Sequence, residues 1–295
     1  MADYSIWVCE YAYVKKYHKS GVIYGAHNQG YVKLPYCYVV IKGRDHVAMV
    51  DVGFNQKDYG ATLATRFGVE NWHSPAQVMA PLGIKPDDVD SCFITHAHFD
   101  HFGNVEAFPK ATFYVQQREI SKWVWVMSLP ERMRWMMGAV DSGDIVRGVA
   151  LAQQNRLVTV DGDMDDVLPG IDLRAAFDTH TYGSMWVAVR NDGNAESNDK
   201  WVLAGDLVYM FENLNGVDDG SGASGVYTPV GLAVGSQTNL VLATEAMMKA
   251  VNYESHRVIP IHEERLKDTF PSRITSDGLR ITEICLADGD ESRVG

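Results

Sequence analysis

The sequence predicts an α/β fold of the α+β type, two packed β-sheets with helices outside them, and three observations carry that expectation. Short runs of β-branched and aromatic residues cluster in both halves of the chain, and segments with helical signals lie between and after them. No low-complexity segment or Pro-rich linker divides the 295 residues, of which 46% are hydrophobic and 22% charged. Such a chain is long enough to bury a sizeable core.

The elements follow in order. Residues 36–42 and 46–50 flank Gly43, Arg44 and Asp45 and read as a hairpin. Residues 74–82 read as a short helix, closed by Gly83 and followed by Pro86. A buried strand over 91–95 leads into the stretch THAHFDHFGN, and another strand covers 112–116. In the second half, strands are predicted over 156–160, 171–177, 184–189, 201–204 and 257–261, with the polar turn NDGNAESND joining the third and fourth. Ser236 caps a helix in which Leu240, Ala243, Met247 and Val251 keep helical spacing. The strands in VAMVDVG and WVLAGDLV both end in an aspartate, an echo that divides one expected domain, 1–295, into pseudo-repeated halves of roughly 1–155 and 156–295. The stretch 215–225, NGVDDGSGASG, and the tail ADGDESRVG read as mobile.

Charge and cysteine usage exclude several function classes. The chain carries 26 Lys and Arg against 38 Asp and Glu, a formal charge of −12, with no basic block. A phosphate backbone would be repelled, so no nucleic acid partner is expected. Cys9, Cys37, Cys92 and Cys285 form no CxxC pair, which offers neither a disulfide framework nor a thiolate metal site and fits a reducing compartment. The start MADYSIWVCEYAYVKK lacks the pattern of a secretion signal, and no run of about 18 apolar residues occurs. A cytoplasmic protein with no membrane partner is the expectation.

The chemistry concentrates at strand ends. His96, His98, Asp100 and His101 fall within six positions, immediately after the strand 91–95. Imidazole and carboxylate are the donors that suit Zn²⁺ and related first-row metals. One ion cannot use all four comfortably. His96 and His98 alternate and can share one ion, while Asp100 and His101 turn toward another point about 3.5–4 Å away, as in two-metal sites. More donors must then come from elsewhere, and His180, Asp206 and His262 each sit just beyond a predicted strand.

This ordered set, HAHFDH, then THT, then GD at a strand end, then a histidine after an Ile-Pro step, resembles the metallo-β-lactamase fold hydrolases and spans most of the chain. The resemblance implies an αββα four-layer sandwich of two mixed sheets flanked by helices, with the site at one edge. It implies two divalent ions, zinc first among them, with manganese, iron or cobalt as alternatives. His96, His98 and His180 would hold the first ion, Asp100, His101 and His262 the second, with Asp206 bridging and Asp51 behind the ligands. Two ions sharing a water lower its pKa from about 15.7 toward about 7, so hydroxide is the expected nucleophile, and Asp100 is the expected carrier of its proton to the leaving oxygen.

Within the superfamily, AGDLVYMFENL and IPIHEERLKDTFPSR look like the N-acyl homoserine lactonase branch. There, a tyrosine at the position of Tyr209 donates to the substrate carbonyl, so Asp100 and Tyr209 are the expected catalytic residues. This sequence departs from that branch at Glu263, where Asp is common, at Phe102-Gly103-Asn104, and in lacking a Pro-Gly step near His180. A bulky Phe102 beside the metals is expected to reshape the pocket.

A helical insertion is predicted over 118–155, and its segment 120–137 is dense in Trp123, Trp125, Met127, Met133, Trp135, Met136 and Met137. Two readings stay open: a lid gripping an acyl chain or aromatic ring, or core and homodimer contact. Either argues against a small, highly polar substrate. The function expected is a hydrolase opening a lactone such as an N-acyl homoserine lactone. The alternatives are hydrolysis of another apolar ester or an activated aryl ether, and a non-catalytic metal-binding partner subunit. A nuclease lacks its basic groove here, and a flavodiiron-like redox protein usually has Glu where His98 stands.

Overall fold

The computed structural model describes residues 2–216, 225–231 and 234–295. Most of the stretch expected to be mobile, residues 217–224, lies outside them. In chain order the strands are β1 (Ser5–His18), β2 (Tyr31–Lys42), β3 (Val47–Val50), β4 (Val69–Glu70), β5 (Ser91–Phe93), β6 (Thr112–Gln116) and β7 (Leu157–Val160). They continue as β8 (Met164–Leu168), β9 (Ile171–Phe177), β10 (Gly183–Arg190), β11 (Lys200–Leu203), β12 (Val258–Ile259), β13 (Ser272–Ile274) and β14 (Arg280–Cys285). Among the described residues they form one sheet in the order β13-β14-β1-β2-β3-β5-β6-β7, with β4 beside β1, and a second in the order β12-β11-β10-β9-β8. Both sheets are mixed, because β3, β5, β6 and β7 run parallel while β1, β2 and β14 pair antiparallel, and β12 joins β11 in parallel.

Alternation of side chains builds the layers. Ile6 and Val8 of β1 belong to the apolar layer between the sheets, with Val39, Ile41, Val50 and Phe93 from the first sheet and Leu173, Met185, Val187 and Leu203 from the second. Trp7, Cys9 and Tyr11 take the opposite face and join Leu63 of the helix Asp58–Phe67 and Trp123 of the helix Gln117–Met127, while the helix Gln237–Ala250, which contributes Met247, packs on β9 and β11 of the second sheet. The result is the expected αββα arrangement. No element is predicted over residues 5–18, yet they form the longest strand. Its first eight residues are all buried, so the in-out polarity that marks a half-buried strand is absent.

Elsewhere the boundaries shift by a few residues. The hairpin is β2 and β3, closed where Gly43 N donates to His46 O at 2.9 Å. The first helix runs Pro75–Met79 and tightens to 3₁₀ over Ala80–Leu82. Ser236 caps its helix through Asn239 N as expected. The C-terminal tail differs from expectation, being pinned: Asp290 accepts from Lys42 Nζ at 2.8 Å and Ser5 Oγ at 2.7 Å, and Arg293 N donates to Glu283.

Strand direction positions the chemistry. β3 and β5 run parallel in one sheet; β9, β11 and β12 share one direction in the other, because β10 is antiparallel to both β9 and β11. Asp51, the His96–His101 segment, His180, Asp206 and His262 follow the C-terminal ends of these strands. They therefore meet at one edge of the sandwich.

Candidate metal centre

All seven donors predicted from the sequence come together, in two groups. His96, His98, His180 and Asp206 offer ligand atoms within 4.8 Å of one another, as do Asp100, His101 and His262. The local chain explains the split. Beyond β5 the chain runs without regular structure, bending at Thr95, to an extended His98, then turns into the short helix Phe99–Phe102. His96 and His98 fall in one group; the helical turn sends Asp100 and His101 into the other.

Asp206 stands between the groups with one oxygen toward each. Its Oδ1 lies 3.0 Å from His262 Nε2 and 3.2 Å from His101 Nε2, and its Oδ2 lies 3.2 Å from His180 Nε2 and 3.7 Å from His96 Nε2. Gly205 makes this placement possible. Its φ is +52°, and a Cβ there would fall 2.7 Å from Thr95 Cβ, so only glycine brings the Asp206 loop this close to the His96 loop.

Hydrogen bonds behind the imidazoles assign their tautomers. His262 Nδ1 donates to the Pro35 carbonyl at 2.6 Å, and His101 Nδ1 donates to Asp51 Oδ2 at 2.8 Å. Thr95 Oγ1 donates to Asp51 at 2.9 Å and accepts from His96 Nδ1 at 3.0 Å. With Nδ1 so engaged, a neutral ring at each of these positions turns its Nε2 lone pair inward, and the buried Nε2 atoms of His96 and His101 have no hydrogen-bond partner. A buried acceptor left without a donor is costly. Cations supply what these atoms lack, and the donor set fits them. Asp51, a residue picked out from the sequence, orients His101 from a left-handed backbone at φ +62°.

The electrostatics agree. Burial and the neighbouring His101 hold His96 well below the ordinary imidazole range, and burial with His180 pushes His98 down to about 3. Both present lone pairs at neutral pH. Burial alone would raise Asp206, but His101, His262 and His96 hold it well below the usual carboxylate range. Burial likewise opposes charge on His101, yet Asp206, Asp100 and Asp51 together raise it well above normal. The space between these carboxylates favours positive charge.

Over the donors lies a narrow cavity of about 40 Å³, lined by Tyr17, Leu34, Tyr36, Phe67, Phe99 and Ala139 beside site residues including Tyr209. The Tyr209 hydroxyl donates to Asp206 Oδ2 at 2.5 Å, and burial with the Asp206 charge keeps the phenol protonated. Phe102 is not beside the cavity, which corrects the expectation: it is fully buried in the helix-side core. The Trp/Met segment divides. Trp123 is fully buried, with its ring centroid 6.1 Å from that of His98, whereas Trp125 is 47% and Trp135 81% exposed. None of its residues lines the cavity. Sequence reasoning missed Tyr17, Tyr36, Thr95 and Pro35. Tyr17, Pro35 and Tyr36 carry no local motif and reach the site through β1 and β2, while Thr95 opens the THAHFDHFGN stretch but takes its role from Asp51, which β3 brings beside it.

The sequence profile of the metallo-beta-lactamase superfamily matches residues 30–262. The chain belongs to that superfamily. Among its relatives, a probable metallo-hydrolase of Mycobacterium tuberculosis is 27% identical over 201 residues, 61% of this chain and 59% of the relative. The chain thus matches about three fifths of that protein's length. The N-acyl homoserine lactonase AiiB of Agrobacterium fabrum is 23% identical over 62% of this chain and 66% of its own. A solved structure, that of the dizinc quorum-quenching lactonase AidC, shares the fold at a TM-score of 0.63, with 14% identity, over 95% of this chain and 94% of that one. Among the described residues, no helix of this superfamily member is long and apolar enough to cross a membrane.

Proposed function

We propose that this chain is a hydrolase that holds two divalent ions, zinc foremost, and opens a lactone such as an N-acyl homoserine lactone. The observation that carries the reading is Asp206, whose two oxygens are divided between two complete donor groups. His96, His98, His180 and Asp206 Oδ2 would hold one ion; Asp100, His101, His262 and Asp206 Oδ1 would hold the other. Such a pair, when bound, supplies Lewis acidity and a water acidified toward neutral pH.

The chain's own groups do the rest. Asp100 lines the same cavity and would take the proton of the attacking water. As water adds to the lactone carbonyl and the ring C–O bond breaks, that proton passes to the departing oxygen, leaving a hydroxy acid. Tyr209 donates to Asp206 in the free site; a substrate carbonyl entering the cavity competes for that hydrogen and gains a donor as charge develops on its oxygen. The apolar walls from Leu34, Tyr36, Phe67 and Phe99 exclude water. Tyr209→Phe is expected to keep both ions while lowering kcat/KM roughly 10²-fold, the scale of a lost oxyanion donor. Metal analysis alongside steady-state kinetics checks this, and unchanged rates would return Tyr209 to a packing role.

Proton release on mixing metal-replete protein with N-decanoyl homoserine lactone, read by a pH indicator, tests the substrate class. Rapid, chelator-sensitive turnover supports lactone opening. A second reading, hydrolysis of another apolar ester or an activated aryl ether, is favoured by the aromatic lining of Tyr17, Tyr36, Phe67 and Phe99. No lactone turnover from protein that holds two ions, with turnover of an aryl ester, would replace the first reading by this one.

A further inference from the structure

Glu119 is fully buried, stands outside both donor groups, and plays no part in the proposed reaction. It lies near the start of the helix Gln117–Met127, within the insertion. Four donors converge on its two oxygens. Oε1 accepts from Ala97 N at 2.9 Å and Trp123 Nε1 at 2.6 Å; Oε2 accepts from Thr181 Oγ1 at 2.8 Å and Gly183 N at 2.7 Å. Ala97 is the residue between His96 and His98, and Thr181 directly follows His180. One carboxylate therefore fastens both loops that carry the three histidines of one group.

The surroundings are built for this contact. A Cβ at Gly183 would fall 2.4 Å from Glu119 N and 2.8 Å from Glu119 Cα, so glycine alone lets the start of β10 meet the helix here. Trp123, one turn along, donates to the same carboxylate and packs near His98. A carboxylate is acceptor-only, and four hydrogen bonds offset part of the cost of burying it, which still holds Glu119 above the usual carboxylate range. A carboxamide would turn its NH₂ against N–H groups that cannot reverse.

We propose that Glu119 is a positioning residue for the ion held by His96, His98 and His180, and that it acts on this ion and not on the other. The selectivity follows from geometry. His101 is held by Asp51 and His262 by the Pro35 carbonyl, and neither contact involves Glu119. Removing the carboxylate frees two loops to drift apart, and the ligands of one group drift with them. It also places the insertion's inner face in the architecture of the centre.

This inference rests on the two-ion reading, and the test separates the two. His262→Ala leaves the His96/His98/His180/Asp206 group, and His180→Ala leaves the Asp100/His101/His262 group, so each background reports one ion. Glu119→Gln is added to each, and zinc affinity is measured by competition with a chromophoric chelator. The expected result is a Kd raised about 10–100-fold in the His262→Ala background, the usual cost of losing a residue that orients a metal ligand, with a change below about twofold in the His180→Ala background. Equal weakening in both backgrounds, or none in the first, would overturn the assignment. Backgrounds that bind no zinc before Glu119 is touched would instead sink the two-ion reading and this inference with it. Should Glu119→Gln fail to fold, Thr181→Val removes one of the four bonds in a near-isosteric change. It is expected to show the same selectivity at smaller size, and unselective weakening would again overturn the assignment.

Discussion

Asp206→Ala is expected to lose both ions and, with them, essentially all activity. The substitution removes the one carboxylate that, among the described residues, faces both groups: Oδ1 toward His262 and His101, Oδ2 toward His180 and His96. It also strips Tyr209 of the acceptor for its hydroxyl, leaving a buried donor without a partner. Because a ligand to two ions is lost at once, the fall in kcat/KM should exceed the roughly 10–100-fold typical of losing a residue that merely orients a ligand, and reach at least about 10³-fold. Metal content by elemental analysis and kinetics on the same preparation check this. A variant that still carries two tightly held ions per chain would contradict the bridging role.

Chelation carries the second large effect, on stability as well as turnover. With the ions removed, Asp51, Asp100, Asp206 and Glu119 remain buried together, and the Nε2 atoms of His96 and His101 have no donor to face. An ion present at a thousand times its Kd stabilises the fold by about 4 kcal/mol. At about 2–4 °C per kcal/mol for a chain of this general size, one such ion is worth on the order of 10 °C in Tm. Differential scanning calorimetry with and without a chelator should show a downward shift of that order, reversed by adding zinc back. An unchanged Tm together with unchanged activity would mean that neither group holds a metal.

The parts of this centre that were legible in the sequence are those written locally. HAHFDH places four donors within one strand end and one helical turn, and His180, Asp206 and His262 each follow a recognisable apolar run. Of what surrounds them, Asp51 and Tyr209 were legible and the rest was not. Thr95 reads as a strand residue, and its role depends on β3 bringing Asp51 beside it. Glu119 reads as an ordinary helix-start acid, and only the approach of β10 at Gly183 reveals its four partners. Tyr17 sits in β1, a strand whose inner part is buried on both faces and so shows no alternation to read. Phe102 misled for a related reason: adjacency to His101 in sequence implied adjacency to the metals, but the helical turn at Phe99–Phe102 sends its ring into the core instead. The Trp/Met segment resolved along its length, with Trp123 packed beside the centre and Trp135 facing outward.

The helix-side and inter-sheet cores explain why the edge can carry so much charge. Asp51, Asp206 and Glu119 are buried, yet each accepts hydrogen bonds or faces imidazoles supplied by a neighbouring strand end. Rigid strands hold those partners in register, which a site built on long loops could not do.

Crystals grown with manganese, with anomalous scattering recorded at its absorption edge, test the two-ion centre. Two peaks about 3.5–4 Å apart are expected, one among His96, His98 and His180, the other among Asp100, His101 and His262, with Asp206 between them. A single peak, or density that leaves Asp206 on one side, would contradict it.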